Sequence, residues 1–287
     1  MMQKQEILNY IDSFKDLNIL AIGETIIDIY QYGKTLGRAG KFPVVTFQGE
    51  TEEVYDGGIL AIKNHLKEFC KNIDIYTWGN VVYKKRYIQD NQKLFETYKY
   101  EKKIKSKKVN ISDYDLVIIA DFGHGFIDKQ VRDRIQDEAN FIALNVQSNS
   151  GNMGMSTINK YSKWDYICID EIELRLACSN QFEELESLIY ERFNGINKIV
   201  SITESKKGSH VYKNKRIIKS PSLAKEIVDT VGAGDAYFSL TSPLAYLDCS
   251  EEMIGIVGNI AGAIACSYQG NKYYVSKKRI LEMIETL

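Results

Sequence analysis

The segment Val228-Asp229-Thr230-Val231-Gly232-Ala233-Gly234-Asp235-Ala236-Tyr237-Phe238 holds the residues best suited to chemistry. Two glycines flank one small residue, a carboxylate follows, and an apolar stretch with helical spacing comes next. Gly232 and Gly234 allow a tight backbone turn and leave no side chain in the way of a ligand. The free N–H groups of a first helical turn point at whatever sits above them, and the helix dipole adds partial positive charge, so the turn suits an anion. Asp235 repels that anion. Its presence makes sense if it takes a proton from a hydroxyl that attacks a phosphate. For Gly-x-Gly-Asp alone, an ordinary loop with a dipole-favoured Asp235 is the better reading. Asp-Thr in front and a helix behind reverse that balance.

Other candidates stand at the ends of apolar runs. Asp28 lies just past the run 18–23, where a polar side chain reaches a ligand or makes a local turn. Asp56-Gly57-Gly58 opens a helical stretch and reads on its own as a plain Gly-rich helix start. Asp170 and Glu173 share one helix face. They suit an oxygen-rich magnesium site or an acidic helix start favoured by the dipole. Lys84-Lys85-Arg86 reads on its own as a solvent-facing strand with ordinary charges.

Short apolar runs at 18–23, 74–78, 115–121, 141–146, 166–170 and 198–203 must position these residues. They suit strands covered on both faces. Amphipathic stretches at 59–69, 128–139, 171–178 and 182–193 alternate with them, and 234–246, 251–268 and 277–284 are helical. Such alternation argues for a parallel sheet wrapped by helices. Segments 42–54 and 81–101 break the rhythm with alternating polar and apolar residues. The second reads as a hairpin with Asp90-Asn91 in its turn. Placed beyond the carboxyl ends of core strands, where ligands bind in open sheets, they would form a water-excluding lid.

The chain has 287 residues and a formal net charge of −1, which gives no pull toward nucleic acid or membrane. Lys102, Lys103, Lys105, Lys107 and Lys108 read as a solvated charged edge. Five cysteines without C-x-x-C spacing read as buried thiols of a reducing compartment, and three histidines are too scattered for a metal site. With no signal peptide and no spanning segment evident, a cytoplasmic protein is expected.

Asp229-Thr230-Val231-Gly232-Ala233-Gly234-Asp235 resembles the Asp-Thr-x-Gly-Ala-Gly-Asp signature of the ribokinase-like (PfkB) carbohydrate kinases. The resemblance implies an α/β, ribokinase-like three-layer fold: a mostly parallel central sheet flanked by helices, plus a small β lid. It implies a single domain over 1–287 with lid segments around 31–56 and 80–105, ATP and Mg2+ as cofactors, and a sugar or sugar phosphate as acceptor. By position, Asp235 is the base, and the amides of Gly232, Ala233 and Gly234 form the anion hole. The segment ending in Asp28 is similar to the family motif that binds sugar hydroxyls. Gly57 and Gly58 match a Gly-Gly motif whose amides approach the sugar, with Ala61 where many members carry Asn. Asp170-Glu171-Ile172-Glu173 resembles Asn-x-x-Glu, which positions magnesium and phosphates. Thr203 and Gly208 fall on a Thr-x-Gly-x-x-Gly segment along the nucleotide, with Ser205 at the first Gly. Asn259, on a helix beside the adenine, and Thr230 join that group.

Asp121-Phe122-Gly123-His124-Gly125, Lys84-Lys85-Arg86 and Ile29-Tyr30-Gln31-Tyr32-Gly33 are similar to segments of the heptose-7-phosphate kinases. Lys85 or Arg86 would then hold a phosphate already on the sugar. Asn145-Val146-Gln147-Ser148-Asn149 replaces that sub-family's Asp-Pro-Lys-Gly and removes a cation. The altered motifs keep a second class open, a nucleotide- or sugar-binding regulator without turnover. A nucleoside or vitamin kinase would differ only in its acceptor pocket. Lid strands offer edges for a homodimer, which charge would blunt.

Overall fold

The computed structural model describes residues 4–77, 79–104 and 109–285. The lysine cluster at 102–108 and Trp78, at the end of one expected strand, lie outside the described side chains.

Among the described residues, twelve strands run in chain order: β1 (Asn18–Gly23), β2 (Thr25–Arg38), β3 (Val45–Gly58), β4 (Asn72–Tyr76), β5 (Gly79–Gln89), β6 (Gln92–Ile104), β7 (Leu116–Asp121), β8 (Ile142–Val146), β9 (Tyr166–Asp170), β10 (Ile199–Thr203), β11 (Ser209–Lys213) and β12 (Arg216–Ser220). The α-helices are α1 (Lys4–Ser13), α2 (Ile59–Leu66), α3 (Lys129–Glu138), α4 (Glu171–Cys178), α5 (Leu185–Phe193), α6 (Ala233–Tyr246), α7 (Glu251–Cys266) and α8 (Lys277–Ile284).

The strands form an eight-stranded sheet in the order β12-β11-β10-β9-β8-β7-β1-β4 and a four-stranded sheet in the order β3-β2-β5-β6. From β4 to β10 every neighbouring pair in the large sheet is parallel, and β11 and β12 add an antiparallel edge. Alternation along β1 and β7 splits the apolar residues between two cores. Ile19, Ala21, Leu116 and Ile118 pack with α1, α2, α6, α7 and α8. Leu20, Ile22, Val117 and Ile119 pack with α3, α4 and α5. The result is three layers, helix–sheet–helix, as the sequence implies.

The small sheet grows out of the large one: β1 passes through Glu24 straight into β2. β2 pairs antiparallel with β3 and parallel with β5, so lid segments far apart in sequence share one sheet. Asp90 and Asn91 turn the β5–β6 hairpin at φ 49° and 62°, the left-handed pair that a two-residue turn requires.

Two elements escaped the sequence reading. Helix α1 buries only Ile7 and Ile11, too thin a stripe to register as a helix. Strand β12, Arg-Ile-Ile-Lys-Ser, is too polar and short to stand out, and its hairpin turns on Asn214 and Lys215 at φ 50° and 64°. Among the described residues, no helix is long and apolar enough to cross a membrane.

Candidate active site

A cavity of about 410 Å³ lies where β9 and β10 end, between the small sheet and the start of α6. Its lining includes Asp28, Gly58, Arg86, Asp170, Glu173, Thr203, Gly208, Thr230, Asn259 and the whole turn 232–235. Residues scattered over the chain thus meet in one space.

At the start of α6, Gly232 takes φ 83°, and a Cβ there would strike the Asn271 side chain. Glycine is required on both counts. Gly234 faces open space, with nothing near the position of a Cβ. The Val231 N–H donates to Asp229 Oδ1 at 3.1 Å, and the Ala233 N–H closes the turn on Thr230 O at 3.3 Å. Among the described residues, the N–H groups of Gly232, Gly234 and Asp235 have no protein acceptor. The free donors therefore differ from the expected set at Ala233, whose N–H is engaged locally, and Asp235 contributes one instead.

The half-buried Asp235 carboxyl is pushed up to about 7 by burial and by the nearby Asp28, against the opposing pull of Lys84. A carboxylate so placed is a suitable base near neutral pH.

Asp28 projects from β2 and accepts a hydrogen bond from Arg86 Nη1. Gly57 does not line the cavity; a Cβ on it would collide with Asp28 Oδ2, so its role is to leave that carboxylate room. Arg86 also reaches Glu96 at 3.6 Å and lies over the Tyr30 ring at 5.5 Å. Lys85 departs from expectation. It lies on the opposite face of β5, away from the cavity, and pairs with Glu52 at 2.6 Å. Lys84, which the sequence reading passed over, faces inward with Arg86. Two-residue alternation along 84–86 is the signal that finds it.

Asp170 and Glu173 cap α4 reciprocally: the Glu173 N–H donates to Asp170 Oδ1 at 2.7 Å and the Asp170 N–H to Glu173 Oε2 at 2.9 Å. Glu173 also accepts the Ser148 N–H at 2.9 Å. Burial, with Asp170 next to it, pushes the Glu173 carboxyl up to about 8. Asn145, also on the cavity wall, donates to Cys168 O at 2.8 Å, while its buried Oδ1 has no partner among the described residues. Among the described residues no cluster of three acidic, His or Cys side chains could cage a metal. An orphaned amide oxygen and a carboxylate lacking a counter-charge still fit a hydrated Mg2+ that takes its other ligands from phosphates.

On the far wall, Thr203 ends β10. Gly208 takes φ 100°, and a Cβ there would strike the backbone at Ser220–Ser222. Ser205, at the first-glycine position of the Thr-x-Gly-x-x-Gly resemblance, adopts φ 50°, in the left-handed region that favours glycine. Asn259 lines the cavity, but its amide donates to Ser220 O and Pro221 O, each at 3.0 Å. It anchors the wall. Asp121 is turned away, held by Tyr161 at 2.6 Å and Lys160 at 2.7 Å, while Phe122 reaches the cavity.

Asp229 joins the two ends of the site. Its carboxylate accepts from Tyr30 Oη of β2 at 2.9 Å, Lys93 Nζ of β6 at 2.5 Å, and the Val231 and Gly270 N–H groups at 3.1 Å each. Burial raises its pKa, but Lys93 and the Val231 N–H outweigh burial and hold it below the ordinary carboxylate value.

Residues 91–276 match the model of the pfkB family of carbohydrate kinases. The chain belongs to this family. The matched stretch contains the α6 turn, Asp170, Glu173, Thr203, Gly208 and Asn259; Asp28, Gly57, Gly58 and Lys84–Arg86 precede it. The bifunctional protein HldE of a Nitratiruptor species is 24% identical over 263 residues, 76% of this chain. The alignment spans only 54% of HldE, about half its length. Arabidopsis thaliana ribokinase complexed with ribose and ATP superposes with a TM-score of 0.68 at 16% identity, over 94% of this chain and 99% of that one. Burkholderia thailandensis nucleoside kinase in complex with inosine does so at 0.63 and 14% identity, over 93% and 98%. At these identities the likeness establishes a ribokinase fold, which sugar and nucleoside kinases share.

Proposed function

We propose that this pfkB-family protein is an ATP-dependent kinase that moves the γ-phosphoryl group to a hydroxyl of a sugar phosphate, with a heptose 7-phosphate as the acceptor. One observation carries the reading: Asp235, its carboxyl raised to about 7, sits beside unpartnered backbone N–H groups at a helix start, in a cavity that also holds Asp28.

Each wall has a task. The N–H groups of Gly232, Gly234 and Asp235 receive the charge on the travelling phosphoryl group. Asp235 accepts the proton of the attacking hydroxyl. Asp28, fixed by Arg86, orients the acceptor through its hydroxyls. The wall of Thr203, Ser205, Gly208 and Asn259 borders the space for ATP, and Thr230 stands at its phosphate end. Asp170, Glu173 and Asn145 would hold a hydrated Mg2+, which neutralises phosphate charge when bound. The small sheet covers the acceptor as a lid, within a single domain over 1–287.

The heptose 7-phosphate assignment draws on the inward cations of β5 and on the similarity to HldE. Two further readings follow. Exposed Leu36, Phe42, Val44 and Val45 around the β2–β3 edge support a homodimer through the lid, measurable by light scattering. The cysteines are all free thiols, which suits the cytoplasm.

Coupled ADP release over a panel of free sugars, sugar phosphates and nucleosides tests the assignment. The largest kcat/KM is expected for a heptose 7-phosphate. A nucleoside as best substrate would replace the acceptor class. Binding of ATP and sugar without turnover anywhere in the panel would make the protein a regulator.

A further inference from the structure

We infer that Lys84 is the specificity residue of the acceptor site, the side chain that selects an acceptor carrying a phosphate monoester. The inference rests on the kinase reading above and adds to it the group that recognises the anion.

Placement comes first. In the β2–β5 pair Lys84 lies opposite Asp28, on the same face of β5 as Arg86, and it lines the cavity with Asp235. Its ammonium stands over the Tyr98 ring of β6 at 5.2 Å.

Availability decides between the cations of the small sheet. Arg86 is engaged by Asp28 and Glu96. Lys85 is engaged by Glu52 outside the cavity, and Lys93 by Asp229. Among the described residues, Lys84 has no carboxylate within ion-pair distance. A guanidinium already held on both sides positions Asp28; a free ammonium waits for an incoming charge.

The surroundings say which charge. Burial and Arg86 disfavour the ammonium, while Asp28, Glu96 and Asp235 favour it, with a net lowering of its pKa. Burial first, and the Lys84 charge second, push the His124 ring in the loop after β7 down to about 4. A half-buried cation without a counter-ion is an unfavourable arrangement that a bound anion relieves. A sugar hydroxyl offers Lys84 a neutral acceptor. A phosphate monoester offers charge and three strong acceptor oxygens. The backbone N–H groups of α6 serve the transferred group, which leaves Lys84 for a phosphate already on the sugar.

The test compares the full-length parent with Lys84→Met and Lys84→Arg at pH 8.5, where Asp235 is ionised in each. The acceptors are a heptose 7-phosphate and the same heptose without phosphate. For Lys84→Met, the loss of kcat/KM on the phosphorylated acceptor should exceed the loss on the free sugar by roughly 10- to 100-fold, mainly through KM. Lys84→Arg should recover most of it. Equal losses on both acceptors would put Lys84 on the transferred phosphoryl group and overturn the inference, as would no loss.

Calorimetric binding of the heptose 7-phosphate to nucleotide-free protein separates this from the kinase reading. If the parent binds that ester but turns over no acceptor, the kinase reading fails alone. Weakened binding in Lys84→Met would then still support Lys84 as the anion reader. Unchanged binding, or none in the parent, would overturn it. Retained affinity for a non-hydrolysable ATP analogue shows that the variants are folded.

Discussion

The two ends of the cavity hold charge by different means. At the α6 end the donors are backbone N–H groups, fixed by a left-handed glycine and a short turn. At the small-sheet end the charges are side chains: Arg86 and Asp28 are paired, and Lys84 has no carboxylate partner among the described residues. Backbone donors do not titrate and do not change when a side chain is replaced. Side chains do both. A common phosphoryl group suits the first construction, and a variable acceptor suits the second. The family match has the same asymmetry, since it covers the α6 turn and omits Asp28 and Lys84.

The largest expected effect comes from Asp235, the carboxylate at the start of α6. Asp235→Asn should keep the fold and ATP-analogue affinity but lower kcat by about 10²- to 10⁴-fold, the usual contribution of a positioned base. A variant as active as the parent in coupled ADP release would remove Asp235 from the mechanism.

Next come the two glycines of the turn, which look alike in sequence and should behave differently. Gly232→Ala forces a side chain to φ 83° and into Asn271, so stability should fall by about 1–2 kcal/mol or more. Gly234→Ala meets open space on a helix, so stability should hold or rise by up to about 1 kcal/mol. Its methyl would occupy the anion space, so kcat/KM for ATP should fall. Chemical denaturation and steady-state kinetics on the same pair decide. If both variants lose stability alike, the turn is structural and not a phosphate cradle.

A smaller effect is expected where the ends are tied. Tyr30→Phe removes one donor from the Asp229 carboxylate and should cost about 1 kcal/mol of stability. Lys93→Met frees the tip of β6 from the phosphate turn, and ATP hydrolysis without acceptor should rise relative to transfer. An unchanged ratio would mean that the two ends do not need each other.

The same contrast explains what the sequence could disclose. Gly232, Gly234 and Asp235 are contiguous, so their local chemistry is visible in a line of text. Asp170 and Glu173 are one helical turn apart, and their pairing is likewise local. Lys84 and Lys85 differ only in which face of β5 they occupy, and a one-residue shift of register exchanges them. Ala233 has the right place for an anion-hole donor, yet its N–H goes to Thr230 because the turn is tight. Asn259 needs β12 before its amide acquires partners, and β12 is too polar to be recognised alone. Local order was legible; pairing across elements was not.

The smallest effect is a displacement of the pH profile. Burial and Asp28 raise the Asp235 carboxyl to about 7, whereas an ordinary Asp titrates near 3.9. A base works only when deprotonated, so kcat/KM should fall about tenfold per unit on the acid side of pH 7. Lys84 acts the other way, because its positive charge favours the Asp235 carboxylate. Removing that charge in Lys84→Gln should move the acid limb to higher pH, against a control in Lys85→Gln, whose side chain lies outside the cavity. Stability carries the same sign. A carboxyl raised in the folded state binds its proton more tightly there than in the unfolded chain. Asp235 and Glu173 therefore favour folding fully below about pH 4, and that contribution is lost as pH rises through about 7 and about 8. Phosphate binding works against Asp235 ionisation and magnesium works for it, so saturating ATP without metal should push the limb up and added Mg2+ should bring it back. A limb near pH 4 in every case would mean that Asp235 is solvated and that the two ends of the cavity do not share a field.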